Sequence, residues 1–81
     1  MARVSGKRAE TELLTGLGRA IRELRSSRGL SQEALADEAG IDRSHMGKIE
    51  RGERNVTVLN VERIATALEV QPSALFVSAG F

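Results

Sequence analysis

Four polar residues stand close together within residues 43–48 of this chain of 81 residues: Arg43, Ser44, His45 and Lys48. Arginine and lysine donate hydrogen bonds to guanine and phosphate, and serine can both donate and accept. With Asp42 and Glu50 nearby, hydrolysis is a competing chemistry. All these groups fall on one short predicted helix, at its exposed end, where no pocket would shield a reaction. We therefore expect no catalytic residue.

The amino-acid composition argues against several other classes of function. The chain has no cysteine and one histidine, so we expect no metal site and no cofactor. Without tyrosine or tryptophan, stacking platforms for single-stranded nucleic acid are not expected. No apolar run approaches the ~20 residues of a membrane span, and no secretory signal is recognisable. These features predict a cytoplasmic protein without a membrane partner or small-molecule ligand.

Charge is unevenly distributed along the chain, although the net charge is only +1. Residues 1–28 hold seven arginines or lysines and three acids, whereas residues 29–81 hold five basic and eight acidic residues. A small domain with one basic side can bind a polyanion without being basic as a whole.

The first predicted helix begins between Glu10 and Thr15 and carries an apolar stripe at helical spacing: Leu14, Leu17, Ile21 and Leu24. Gly16 and Gly18 each weaken a helix by ~1 kcal/mol relative to alanine, which predicts frayed first turns. Residues 1–9 show no periodicity, and we expect them to form a flexible arm.

The next two predicted helices are short and joined by a tight turn. Ser31 is a suitable N-cap for the second helix, whose inner stripe is Leu35, Ala36 and Ala39. Gly40 ends that helix, and Asp42 caps a third helix that runs to about Arg51. Two helices joined in this way meet at a steep angle, so the pattern predicts a helix-turn-helix.

On a helical wheel, the third helix buries Met46 and Ile49 and turns its opposite face outward. The outward face holds Ser44, Gly47, Lys48 and Arg51, with Arg43 and His45 on its flanks. A helix of this width fits the major groove of duplex DNA, and its first turn enters deepest. We therefore expect the outward residues to face base edges and phosphates.

The remaining residues complete a predicted all-α domain of five helices over residues 10–77, followed by a short tail, 78–81. Thr57 caps a fourth helix, from about Val58 to Leu68, with the apolar stripe Val58, Val61, Ile64, Ala65 and Leu68. Pro72 opens a short fifth helix that runs through Phe76.

The run from Leu30 to Gly52, LSQEALADEAGIDRSHMGKIERG, resembles the helix-turn-helix of the phage repressor/Cro (XRE-like) family. The resemblance extends from about Gly18 to Phe76, which is most of the chain. The block ERGERNVTVLNVERIATALEV is similar to stand-alone controller proteins of restriction–modification systems. The resemblance implies a lambda-repressor-like fold and a transcriptional regulator that binds a double-stranded DNA operator sequence-specifically.

By position, the resemblance also implies roles for single residues. Base contacts fall to Arg43, Ser44, His45 and Lys48, and phosphate contacts fall to Gln32, Arg51, Arg54, Asn55 and Thr57. Arg25 and Glu50 match a structural ion pair between the first and third helices. For the DNA contacts the alternative is an ordinary solvated side chain, or for His45 a packing residue. The arm residues likewise either reach DNA or stay solvated: Arg3, Lys7 and Arg8.

One recognition helix contacts only a few base pairs, which favours a homodimer on an inverted repeat with half-sites ~34 Å apart. The candidate interface consists of Val70, Leu75, Phe76 and Val77. The alternative is that Leu75 and Phe76 close the monomer core. A controller of this kind would regulate its own gene, with RNA polymerase as a candidate second partner. The competing function is an antitoxin or adaptor whose main partner is another protein.

Overall fold

A computed structural model describes the backbone of residues 6–81 and the side chains of residues 12–81. The predicted all-α class is confirmed, because this part of the chain contains helices and no strand. The helices are α1 Gly6–Ser27, α2 Gln32–Ala39, α3 Arg43–Glu50, α4 Val58–Ala67 and α5 Pro72–Ser78. Within the described residues, no helix combines the length and the apolarity needed to cross a membrane.

The start of α1 differs from the prediction. The helix already includes Gly6, so the predicted start between Glu10 and Thr15 was wrong. The lysine, arginine, alanine and glutamate of this stretch have high helix propensity, and they extend an anchored helix without an apolar stripe. Residues 1–5 of the predicted arm, with Arg3, and the side chains of Lys7 and Arg8 lie outside the described part.

The predicted caps of three helices are confirmed. The hydroxyl oxygens of Ser31 and Thr57 each accept a hydrogen bond from a backbone N–H three residues later, at 3.0 Å in both cases. The Asp42 carboxylate caps α3 in the same way. Gly40 ends α2 with φ 69°, a left-handed conformation that glycine adopts without strain. These local signals fix the short turn between α2 and α3.

The core is aliphatic, and two residues lie elsewhere than expected. Val58, predicted in the apolar stripe of α4, is 87% exposed, because it starts the helix at the edge of the stripe and no element of the described residues covers it. Leu75, predicted at a dimer interface, is 0% exposed, so that prediction was wrong and the monomer-core alternative holds for this residue. Its side chain packs in the cluster formed by α1, α2, α3 and α4.

Gly16 and Gly18, for which the sequence predicts a weakened helix, lie within the continuous helix α1, and both are sites of close helix packing. A Cβ on Gly18 would lie 2.5 Å from the carbonyl oxygens of both Ile49 and Glu50. A Cβ on Gly16 would lie 2.9 Å from the Ala79 carbonyl oxygen. The absence of a side chain therefore lets α1 approach α3 and the end of α5.

Candidate nucleic-acid interface

The third helix is held from within the domain, which fixes the direction of its outward face. Met46 and Ile49 are buried in the core, and Gly18 allows α1 to lie directly against the last turn of α3. The short connection between α2 and α3 positions the first helical turn of α3. Arg43 and Ser44 therefore project from a rigidly anchored helix terminus, as a recognition helix requires.

An ion pair that includes Glu50 joins α1 to α3. Arg25 donates from Nε to Glu50 Oε2 at 2.8 Å and from Nη2 to Oε1 at 3.0 Å. The third guanidinium nitrogen of Arg25, Nη1, donates to the Leu30 carbonyl oxygen at 2.9 Å. The Glu50 side chain is 2% exposed and that of Arg25 is 15% exposed. The structure thus brings together the two residues predicted to form a structural pair.

Gln32 takes part in the same network. Its amide Nε2 donates to Glu50 Oε1 at 3.0 Å, and the residue is half-buried rather than a plain exposed residue of the first turn. One amide hydrogen and the amide oxygen are left for another partner. The predicted phosphate contact of Gln32 therefore has to use a side chain that is already positioned by Glu50.

Asp42 organises the first turn of α3. Its Oδ2 accepts hydrogen bonds from the N–H groups of Ser44 and His45, at 3.0 and 3.3 Å, and from the Ser44 hydroxyl at 2.6 Å. These bonds, the hydroxyl bond foremost, hold the pKa of Asp42 below its ordinary value. Because the Ser44 hydroxyl donates to Asp42, its oxygen is available to DNA mainly as an acceptor.

The lowered pKa of Asp42 predicts a pH dependence of stability. The Asp42 carboxylate binds a proton less readily in the folded state than in the unfolded state. The stability that the ionised carboxylate contributes is therefore complete above about pH 3.9 and is lost as the pH falls through the lower pKa of the folded state. We expect Asp42→Asn to be less stable than the wild type at pH 7, with a difference that shrinks below about pH 4. Urea unfolding at both pH values checks this expectation, and a constant difference would contradict it.

The outward-facing residues Ser44 and Lys48 form a ridge along α3, and a cleft lies on each side of this ridge. The first, which we call the α2-side cleft, has a volume of about 240 Å³ and is lined by Gln32, Arg43, Ser44, Gly47, Lys48 and Arg51. Gly47 lies on the outward face, as predicted, but is buried, because the ends of the Gln32 and Arg51 side chains lie over it. Arg43 stays highly exposed, with Glu33 at 4.0 Å.

The second, the α4-side cleft, has a volume of about 430 Å³. Its lining is Gly40, Ile41, Asp42, Ser44, His45, Lys48, Arg54, Asn60 and Arg63. The structure thus places His45 and Arg54, predicted for bases and phosphate, in one concavity. Sequence reasoning missed Asn60 and Arg63. Their spacing of three residues on the polar face of α4 was readable, but the position of that face across a cleft from α3 was not.

The other predicted phosphate contacts are less favourably placed. Arg51 donates to Glu53 from Nε at 2.9 Å, which raises the pKa of Arg51 and lowers that of Glu53. Thr57 caps α4, and Asn55 lines an apolar groove rather than either cleft. In the described part of the chain, no group of three histidine, aspartate or glutamate side chains is placed to hold a metal ion.

Known proteins resemble this chain over most of its length. Residues 16–75 match the profile of a family described as a helix-turn-helix domain. Control protein C.BamHI from Bacillus amyloliquefaciens is 46% identical over 59 residues, which are 72% of this chain and 73% of that protein. Control protein C.MunI from a Mycoplasma species is 38% identical over 60 residues, 73% of this chain and 81% of that protein.

A solved structure shows the same architecture. The crystal structure of the restriction-modification controller protein C.AhdI from Aeromonas hydrophila is 51% identical and superposes with a TM-score of 0.77. The match covers 78% of this chain and 96% of that one. The similarity thus includes the helix-turn-helix together with the helices that support it.

Proposed function

Because this chain belongs to the helix-turn-helix domain family of DNA-binding transcriptional regulators, we propose that it is a restriction–modification controller. It binds an inverted-repeat operator near its own gene as a homodimer, and operator occupancy acts on RNA polymerase in the cytoplasm. The observation that carries this proposal is the anchored α3, whose exposed Arg43 and Ser44 lead a ridge that ends in Lys48. This protein is a regulator rather than an enzyme. The antitoxin or adaptor alternative is not favoured, because the relatives described above are controllers.

The proposed dimer uses the apolar surface of α4 and α5. Val77 is 71% exposed, whereas Val70 and Phe76 are half-buried. Phe76 and the exposed Val58 line one apolar groove of about 290 Å³. Leu75 is buried in the core and is not available to a partner. We therefore propose an interface formed by Val58, Val70, Phe76 and Val77. An apolar surface of this kind suits a self-complementary two-fold contact.

The experiment that tests the function is selection of random duplex DNA by the purified protein at ~150 mM salt, near physiological ionic strength. We expect enrichment of an inverted repeat, with half-sites about one DNA turn apart. Binding that is only salt-sensitive and enriches no sequence would contradict the proposal and favour a protein partner.

Arg43 is expected to read guanine through its two-pronged guanidinium. Arg43→Lys keeps the charge but loses the bidentate geometry, so discrimination at one base pair of each half-site should fall by about 1–3 kcal/mol. Non-specific affinity should change little. Competition binding with single-base variants of the selected duplex measures both quantities. Equal losses on selected and scrambled duplexes would instead assign Arg43 to phosphate.

A further inference from the structure

The outward ridge of α3 separates two clefts, and the same two residues belong to both. Ser44 and Lys48, one helical turn apart, line the α2-side cleft and also the α4-side cleft. The major groove of duplex DNA is bounded on each side by a phosphate backbone. If α3 enters the groove as proposed above, the ridge turns one cleft toward each strand.

Cations without a carboxylate partner are concentrated in the α4-side cleft. Within residues 12–81, five arginines form salt bridges: Arg19, Arg25, Arg28, Arg43 and Arg51. Four basic residues form none within this part of the chain, and three of them, Lys48, Arg54 and Arg63, line the α4-side cleft, whereas Arg22 lies on α1 away from it. Their charge is therefore available to an anion from outside the protein.

The one carboxylate lining this cleft does not cancel that charge locally. Asp42 Oδ2 already accepts three hydrogen bonds from Ser44 and His45, and it caps the positive end of α3. A carboxylate satisfied in this way competes weakly for the arginines across the cleft. The Lys48 and Arg63 side chains accordingly make no salt bridge to it.

Arg63 and Asn60 supply a matched set of donors on α4. Arg63 Nη1 donates to Asn60 Oδ1 at 3.4 Å, which joins the two side chains. The other guanidinium N–H groups and both amide hydrogens of Asn60 remain without a described acceptor. A phosphate diester carries negative charge and only acceptor oxygens, so it suits this donor set.

We infer that the α4-side cleft binds a backbone phosphate of DNA, on the strand opposite the one that faces the α2-side cleft. Arg63 and Asn60 are the positioning residues on α4. They fix the register of α3 in the groove and do not read a base. This inference rests on the proposed function, and it extends the phosphate contacts from the loop before α4 onto the helix itself.

The first test compares Arg63→Gln with Arg19→Gln, which removes the same charge from the face of α1 that meets α5. We expect Arg63→Gln to weaken binding about tenfold, the scale of one charge-assisted hydrogen bond, on selected and scrambled duplexes alike. The slope of log affinity against log salt should fall by about 1. Arg19→Gln should stay within about twofold of the wild type. Unchanged thermal unfolding excludes a folding defect, and Arg63→Lys should restore the slope.

The second test locates the phosphate. Single neutral methylphosphonate linkages are placed in turn along both strands of the selected duplex. At one position, the linkage should weaken the wild type about tenfold and leave Arg63→Gln without further loss. Arg51 lines the α2-side cleft. In Arg51→Gln, the linkage that causes no further loss of affinity should therefore lie on the opposite strand.

The outcomes separate this inference from the proposed function. If the selection enriches a repeat but Arg63→Gln binds DNA as Arg19→Gln does, the cleft assignment is wrong and the proposed regulator function still holds. No enriched repeat would contradict the regulator, while the salt slope on random duplex would still test the cleft. If inorganic phosphate shifts the Asn60 amide resonances but Arg63→Gln leaves DNA affinity unchanged, the cleft binds free anions and the inference is wrong.

Discussion

Glu50→Ala is expected to lower the free energy of unfolding by about 3–5 kcal/mol, the cost of leaving a buried charge without its partner. The substitution removes both hydrogen bonds from Arg25 and the one from Gln32. Arg25, which is mostly buried, would keep only its bond to the Leu30 carbonyl oxygen. Urea unfolding followed by circular dichroism measures the loss, provided that the slope with denaturant is unchanged.

The control for this prediction is the double variant Arg25→Met with Glu50→Leu. Apolar residues of similar volume remove both charges together, so most of the lost stability should return. A loss below about 1 kcal/mol in Glu50→Ala, the scale of an exposed salt bridge, would contradict the buried network. DNA affinity of the double variant is informative as well, since Gln32 would lose the acceptor that positions it.

Gly18→Ala is expected to destabilise the protein by about 3 kcal/mol, opposite in sign to the effect that helix propensity alone predicts. Propensity favours alanine over glycine by about 1 kcal/mol inside a helix. At this site the new Cβ would lie 2.5 Å from two backbone carbonyl oxygens, those of Ile49 and Glu50. Backbone cannot rotate away as a side chain can, so α1 and α3 must separate, and overpacking of this kind costs more than propensity returns.

Gly16→Ala provides a graded comparison for Gly18→Ala. Its Cβ would lie 2.9 Å from one backbone carbonyl oxygen, that of Ala79, whereas the Cβ at Gly18 would lie 2.5 Å from two. The required shift of the backbone is smaller, so the loss of stability should be smaller than at Gly18. Thermal unfolding of both variants decides the matter, and a Gly18→Ala protein more stable than the wild type would refute the close packing of α1 on α3.

Much of the fold was predictable because its signals are local. The N-caps at Ser31, Asp42 and Thr57 satisfy backbone N–H groups two or three residues away, and Gly40 adopts its own turn conformation. Such effects depend on neighbouring residues, so they are legible in the sequence. The start of α1 was missed because the expected signal, an apolar stripe, is not required where helix propensity is high.

The candidate site was less predictable, because availability for DNA depends on contacts between distant residues. Arg43 and Lys48 are accessible as the wheel predicted. Gln32, however, donates to a residue 18 positions away. Arg63 shares a cleft with the recognition helix only because α4 packs against α2. No periodicity within one segment carries that information.

By itself, the sequence determined the helices, their caps, the helix-turn-helix and the family resemblance, since each follows from residue types at short spacing. Only the tertiary structure decided how the polar groups are used. It commits the Ser44 hydroxyl to Asp42, pairs Arg25 with Glu50 and leaves the cations of the α4-side cleft without salt bridges to any residue of the described part. The physical reason is that burial and hydrogen bonding between helices are fixed by packing, which brings together side chains that the chain order keeps apart.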